Sequence, residues 1–169
     1  VIGGGVIGLM AVQLAKLAGA KVLLMTRSPE KQTLGLNIGA DYAVGTESDV
    51  RDIWPEGADL VVECAGVSAT VTLSHKLARS GGRVVILGVI SQGEQVPIEP
   101  FDMLFREIQM HFSFLNPFTH DRAAKMIADG TINVSPLISR TISLEEAALA
   151  ISSPPPKGEV RAIVVPNHD

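Results

Sequence analysis

The stretch that decides the fold opens the chain: Val1-Ile2-Gly3-Gly4-Gly5-Val6-Ile7-Gly8. It satisfies G-x-G-x-x-G at Gly3, Gly5 and Gly8. Each glycine has a physical task in such a loop. Gly3 permits the tight turn out of a strand, and Gly5 lets backbone approach a pyrophosphate with no Cβ in the way. Gly8 lets the following helix lie close on the sheet. The free N–H groups at the helix start, those of Val6 and Ile7 among them, then face the phosphates. Alone, the hexapeptide reads equally well as a strand–helix turn without a ligand. Its context decides for a dinucleotide, because a strand precedes it, an amphipathic helix follows, and a second strand comes at the expected distance.

Downstream, strand and helix signals alternate. Ile7, Met10, Leu14 and Leu17 are spaced as one face of a helix, with Gln13 and Lys16 opposite. Gly19 stops that helix. Residues 21–26 are an apolar strand, and Ser28-Pro29 caps a helix that runs to about Gly39. Strands are expected over 41–44, 59–63, 83–87 and 108–114, with a short helix within 45–57 and further helices over 68–79 and 101–106. Gly81-Gly82 reads as a turn. A helix over 121–129 closes at Gly130, Ser143 to Glu146 form a capping box, Ser153-Pro154-Pro155-Pro156 make a stiff loop, and residues 160–165 are a last strand. The alternation predicts an α/β fold, a doubly wound parallel six-stranded Rossmann sheet with a C-terminal helical and strand extension. Residues 1–115 are read as the dinucleotide-binding domain with a truncated first strand, and 116–169 as an extension that packs on a preceding catalytic domain. That domain is expected to be absent from the chain, since only two residues precede the glycine loop.

Composition narrows the function. Of 169 residues 46% are apolar and only 4% aromatic, so Val, Ile, Leu and Ala build the core, as in buried parallel strands. The net charge of -4 carries no basic block, which argues against nucleic acid. No apolar run reaches the roughly 18–20 residues that cross a bilayer, so no membrane partner is expected and the cytoplasm is the expected compartment. The single cysteine, Cys64, supplies neither a disulfide nor a multi-thiolate zinc site. His75, His111, His120 and His168 lack metal-ligand spacing and read as surface or packing residues. Glu63 and Cys64 are adjacent on a strand, so they point to opposite faces and do not form a metal pair.

At the end of the second strand a carboxylate would hold a ribose 2′-hydroxyl about 20 residues after the loop. Thr26, Arg27 and Ser28 stand there instead. These side chains hydrogen-bond a 2′-phosphate, and Arg27 adds charge. The expectation is NADP in preference to NAD, with NAD possible.

Residues 3–22, the Gly39-Ala40-Asp41 run, Glu63-Cys64-Ala65-Gly66, Gly81-Gly82-Arg83-Val84-Val85 and the tail 137–165 together resemble the medium-chain dehydrogenase/reductase superfamily. The likeness is to its zinc-dependent branch of threonine, sorbitol and butanediol dehydrogenases. The resemblance implies further roles. Lys31 would lie beside the adenosine ribose, and Cys64, Ala65 and Gly66 would line the adenosine and ribose edge. Leu87, Gly88 and Val89 would lie near the nicotinamide, Phe112 and Ser113 would offer backbone to the carboxamide, and Arg161 would reach the phosphates. Relatives commonly carry Gly-Ser-Phe where this chain has Phe112-Ser113-Phe114, which brings a phenylalanine toward the nicotinamide. The resemblance also implies an alcohol or ketone substrate, with zinc and all catalytic residues in the missing domain, so the fragment alone is expected to be inactive. It implies a homodimer or tetramer through the edge strand 108–114. The readings weighed against it are a zinc-free NADPH-dependent quinone or enone reductase, a non-catalytic nucleotide-sensing module, and a methyltransferase.

Overall fold

The structure is a computed structural model that describes residues 1–115 and 117–166. His168 lies outside the described residues. The elements follow the order α1 (Val6–Leu17), β1 (Leu23–Met25), α2 (Pro29–Asn37), β2 (Tyr42–Val44), α3 (Glu47–Ile53), β3 (Ala58–Glu63), α4 (Ser68–Leu77), β4 (Ala78–Ile86), α5 (Pro100–Phe105) and β5 (Gln109–Phe112). After these come α6 (His120–Ala128), a 3-10 turn Ser135–Leu137, β6 (Ile138–Ile142), α7 (Leu144–Ser152) and β7 (Arg161–Val164).

All strand pairs are parallel. β1 pairs with β2, and β4 lies between β3 and β5. Ile2 joins the two groups, bridging Met25 on one side and Glu63 on the other. Its N–H donates to the Val62 carbonyl at 2.8 Å, and Cys64 N–H returns a bond to the Ile2 carbonyl at 2.8 Å. The spatial order is therefore β2-β1-Ile2-β3-β4-β5, with the chain leaving Ile2 first to one side and then to the other. This is the doubly wound arrangement, and Ile2 marks its switch point. Val1-Ile2 forms a single bridge in place of a full strand.

Both faces of the sheet are buried, as alternation along β1 shows. Leu23 and Met25 join a cluster with Ile2, Val61, Val71, Leu77, Val84 and Ile86, whereas Val22 and Leu24 join Leu9, Val12, Ala40 and Leu137. Successive side chains on a strand point to opposite faces, so helices are needed on both. Each fully buried aliphatic side chain here contributes about 1.5–3 kcal/mol.

The buried face of α1 is not the stripe read from spacing. Gly8, Leu9, Val12 and Gln13 are buried, while Ile7, Leu14 and Leu17 are 54%, 46% and 54% exposed. The helix is apolar nearly all round, so periodicity admits two stripes. Gly8 selects one of them, because only its side of the helix can come into contact with the strand. Gln13 is tolerated inside because its amide donates to the Asn133 carbonyl at 3.0 Å and accepts from Asn133 N–H at 2.9 Å.

Other boundaries also shift. The α4 helix ends at Leu77 rather than residue 79, and the Gly81-Gly82 turn becomes an irregularity inside β4, where the register moves between the pairs Ala58–Ala78 and Leu60–Arg83. The sixth strand of the main sheet, β5, is four residues long rather than seven. β6 was not foreseen; it pairs with β7 in a separate two-stranded sheet. The segment carrying them also packs on the main body through Leu137 and Asn133.

His75 is 1% exposed, with neither ring nitrogen hydrogen-bonded within the structure. Its carbonyl accepts from Arg106 at 2.8 Å, and Asp102, Lys76 and Glu99 are the other charges nearby. Burial holds its pKa below 6.5 despite the nearby Asp102. Below pH 6.5 the unfolded chain takes up this proton before the native one does, so stability falls as pH drops from 6.5 toward the folded pKa. We expect denaturant midpoints to begin falling near pH 6.5, before carboxylates start to titrate. In His75→Leu that upper part of the acid loss should vanish. An unchanged profile in the variant would show that His75 carries none of it.

Candidate functional site

The residues singled out in the sequence lie at the carboxyl ends of adjacent strands. The loop after Ile2 turns at Gly3, whose φ of +105° suits glycine and whose N–H donates to the Met25 carbonyl at 2.9 Å. A Cβ on Gly3 would stand 2.9 Å from Ala65 N, and one on Gly8 would stand only 1.8 Å from the Gly3 carbonyl oxygen. A Cβ on Gly5 meets nothing within 4 Å. Gly3 and Gly8 are thus committed to packing, whereas Gly5 borders open space.

The first α1 bond of the loop runs from Leu9 N–H to the Gly5 carbonyl at 2.9 Å. The N–H groups of Val6 and Ile7 have no acceptor inside the helix. No side chain caps this terminus and its first turn holds no acidic residue. The positive end of the helix dipole therefore faces the space beside Gly5, where an anion is favoured.

Next to it stands the end of β1. A Cβ on Gly4 would lie 2.8 Å from Thr26 Oγ1 and 3.0 Å from Lys31 Cβ, so the glycine loop, Thr26 and Lys31 form one wall. Ser28 caps α2 by accepting from Lys31 N–H at 3.4 Å, and Arg27 is exposed. Ser28 Oγ donates to Glu30 Oε2 at 2.6 Å, and Glu30 Oε1 pairs with Lys157 at 3.1 Å. The Ser28 hydroxyl, with Lys157, holds the Glu30 carboxyl down to about 2. Glu30 and Lys157 were not foreseen. Glu30 lies in the first turn of α2, five residues past the end of β1, and Lys157 comes from a remote loop with no local signal.

On the other side of Ile2, the loop after β3 is held by Glu63, which is fully buried. Its Oε1 accepts from Ala65 N–H at 2.8 Å, Gly66 N–H at 3.0 Å and Thr70 Oγ1 at 2.8 Å, and its Oε2 has no partner. The Glu63 carbonyl accepts from Leu87 N–H at 2.8 Å and Gly88 N–H at 3.1 Å, which ties the loop after β4 to the same point. A Cβ on Gly88 would lie 2.2 Å from Gly66 N and 2.4 Å from Glu63 Oε2, so the two loops touch. Sequence reading passed over Glu63 as a member of a metal pair and missed this bracing role. Its one available signal was a carboxylate at the end of a strand otherwise buried.

Cys64, on the opposite face, lies beside the glycine loop, its Cβ 3.5 Å from a Cβ built on Gly8. Burial foremost, with Glu63 alongside, pushes its thiol up to about 12, so it is an inert wall at neutral pH. Farther along, Ser113 N–H donates to the Ile86 carbonyl at 3.1 Å, so Phe112 and Ser113 flank the start of the Leu87–Val89 segment. Phe112 and Val89 are 75% and 78% exposed. Arg161 is exposed at the start of β7, in the separate small sheet.

A cavity of about 530 Å³ lies elsewhere, between Val1, Lys21–Leu23 and the 53–62 segment at the amino ends of the strands. It touches none of the glycine-loop residues. Among the described residues no group of three or more His, Cys, Asp or Glu is arranged to hold a metal ion, so they do not fit a zinc site. No helix among them is long and apolar enough to cross a membrane.

Comparison with known proteins agrees with this geometry. The sorbitol dehydrogenase of Gallus gallus is 29% identical over 160 residues, covering 89% of this chain and 44% of that protein. A protein of Agrobacterium fabrum (strain C58) assigned as a D-xylulose reductase is 33% identical over 157 residues, covering 87% of this chain and 43% of its own length. A crystal structure from Sinorhizobium meliloti 1021, assigned as a zinc-binding dehydrogenase and bound to NADP, superposes with a TM-score of 0.93 at 50% identity, covering 98% of this chain and 51% of that one. The chain spans about half the length of the relatives it matches. With residues 6–130 matching its defining pattern, the chain belongs to the zinc-binding dehydrogenase family.

Proposed function

We propose that this chain is the dinucleotide-binding half of an NADP-preferring alcohol or polyol dehydrogenase of the zinc type. The observation that carries the reading is the uncapped, acid-free start of α1 facing open space at Gly5, beside a strand end that offers Thr26, Arg27 and Ser28 in place of a carboxylate. A relative at 50% identity bound to NADP supports it.

The nicotinamide supplies the hydride acceptor when the cofactor is bound, and the protein supplies position. Val6 and Ile7 N–H groups hold the pyrophosphate, and Arg161 adds charge to the phosphates. Thr26, Arg27, Ser28 and Lys31 take the phosphorylated ribose. Cys64, Ala65 and Gly66 line the adenosine and ribose edge, and Leu87, Gly88 and Val89, with Phe112 and Ser113, bound the nicotinamide. The described residues of this chain do not assemble a metal site, so the alcohol would be activated by groups outside them, and the chain alone is expected to bind cofactor without turning over alcohol. The outer edge of β5, flanked by exposed Phe112, Phe114 and Leu115, suits pairing with a second copy.

The experiment is a paired calorimetric titration with NADPH and NADH. NADPH is expected to bind more tightly. Equal or reversed affinities would remove the specificity claim and leave the fold in place.

A further inference from the structure

We propose that Lys157, brought to the start of α2 by the loop between α7 and β7, is a specificity-determining residue that admits a 2′-phosphate by neutralising Glu30. The inference rests on the cofactor reading above and adds to it a residue far away in the chain.

Next to the wall formed by the glycine loop, Thr26 and Lys31, in the first turn of α2, stands a carboxylate, Glu30, which accepts from Ser28 Oγ at 2.6 Å. An ionised carboxylate in that place opposes a phosphate dianion and occupies the hydroxyl that would bind it. Lys157 Nζ lies 3.1 Å from Glu30 Oε1 and cancels that charge. The lysine is not there by accident of a loose loop. A Cβ on Gly158 would come within 3.1 Å of Glu30 Cβ, so the loop backbone lies directly against Glu30. The loop is braced on its far side, where Arg140 pairs with Glu159 at 2.6 Å and Val160 N–H donates to Ser139 Oγ at 2.9 Å. Lys157 is 81% exposed and Glu30 46%, and an ion pair so exposed contributes little to folding. Its consequence is local: it turns an acidic corner into one that a dianion can enter.

The test uses the protein with Lys157→Met, which keeps length and removes charge, and with Glu30→Gln added to it. NADPH and NADH affinities and thermal midpoints are measured for all three proteins. Lys157→Met is expected to weaken NADPH roughly tenfold, to leave NADH within about twofold, and not to move the midpoint. Adding Glu30→Gln is expected to restore most of the NADPH affinity, because the opposing charge is gone. If Lys157→Met leaves the ratio of the two affinities unchanged, or weakens both cofactors equally, the pair is a surface ion pair only and the inference is overturned while the cofactor reading stands. If the parent protein itself binds neither cofactor, the cofactor reading fails and the inference fails with it.

Discussion

Gly8→Ala is expected to destabilise the protein by more than about 3 kcal/mol and to abolish cofactor binding, whereas Gly5→Ala, three residues earlier, should leave stability within about 0.5 kcal/mol of the parent. The difference comes from what each Cβ would meet. At Gly8 it would lie 1.8 Å from the Gly3 carbonyl oxygen, which is backbone and cannot rotate away. The helix must lift from the strand, and the loop that depends on their contact is lost. Overpacking that side chains can absorb costs about 1–3 kcal/mol, and this site has no such relief. A fall in thermal midpoint of roughly 6–12 °C should follow for a chain of this length. At Gly5 the Cβ meets nothing within 4 Å, and its φ of -81° is open to any residue. The added methyl there fills space assigned to the pyrophosphate, so NADPH affinity should fall about tenfold or more with the fold intact. A Gly5→Ala protein that binds NADPH like the parent would show that the space beside Gly5 is not the phosphate site.

Glu63→Ala should lower stability by about 3–5 kcal/mol, and Glu63→Gln by about 1 kcal/mol. In the alanine variant Ala65 N–H, Gly66 N–H and the Thr70 hydroxyl lose the oxygen on which they converge. A buried donor left without an acceptor costs about 1–3 kcal/mol. Removing a buried carboxylate with one unpartnered oxygen recovers part of this, which keeps the loss below the simple sum. Glutamine retains an oxygen for the three donors and places its amide where Oε2 now lacks a partner. Chemical denaturation of the two variants measures the difference. Equal stability of Glu63→Ala and the parent would mean that the loops after β3 and β4 hold their shape without the carboxylate.

Much of this was legible in the sequence because local chemistry and fold agree. Ser28-Pro29, the capping box at Ser143 and the stops at Gly19, Gly39 and Gly130 are set by neighbours within one turn, and all appear in the structure. The doubly wound parallel sheet followed from alternation and the glycine loop. What escaped depended on distant residues. The buried side of α1 is chosen by Gly8 and by Asn133, 120 residues from Gln13, where the helix's own periodicity allowed another face. β6 needed β7 as its partner before 138–142 could be read as a strand. At the site, the run Thr26 to Ser28 was readable from spacing, but the Glu30–Lys157 pair joins residues from opposite ends of the chain. The bracing role of Glu63 was missed because its carboxylate serves the backbone of Ala65 and Gly66 and the hydroxyl of Thr70, contacts with no spacing signal in the sequence.

The most direct test of the central claim is the paired calorimetric titration of the protein with NADPH and NADH. The account predicts saturable binding at one site per chain, with NADPH clearly the tighter ligand. Absence of binding by either cofactor, in a chain shown to be folded, would contradict it.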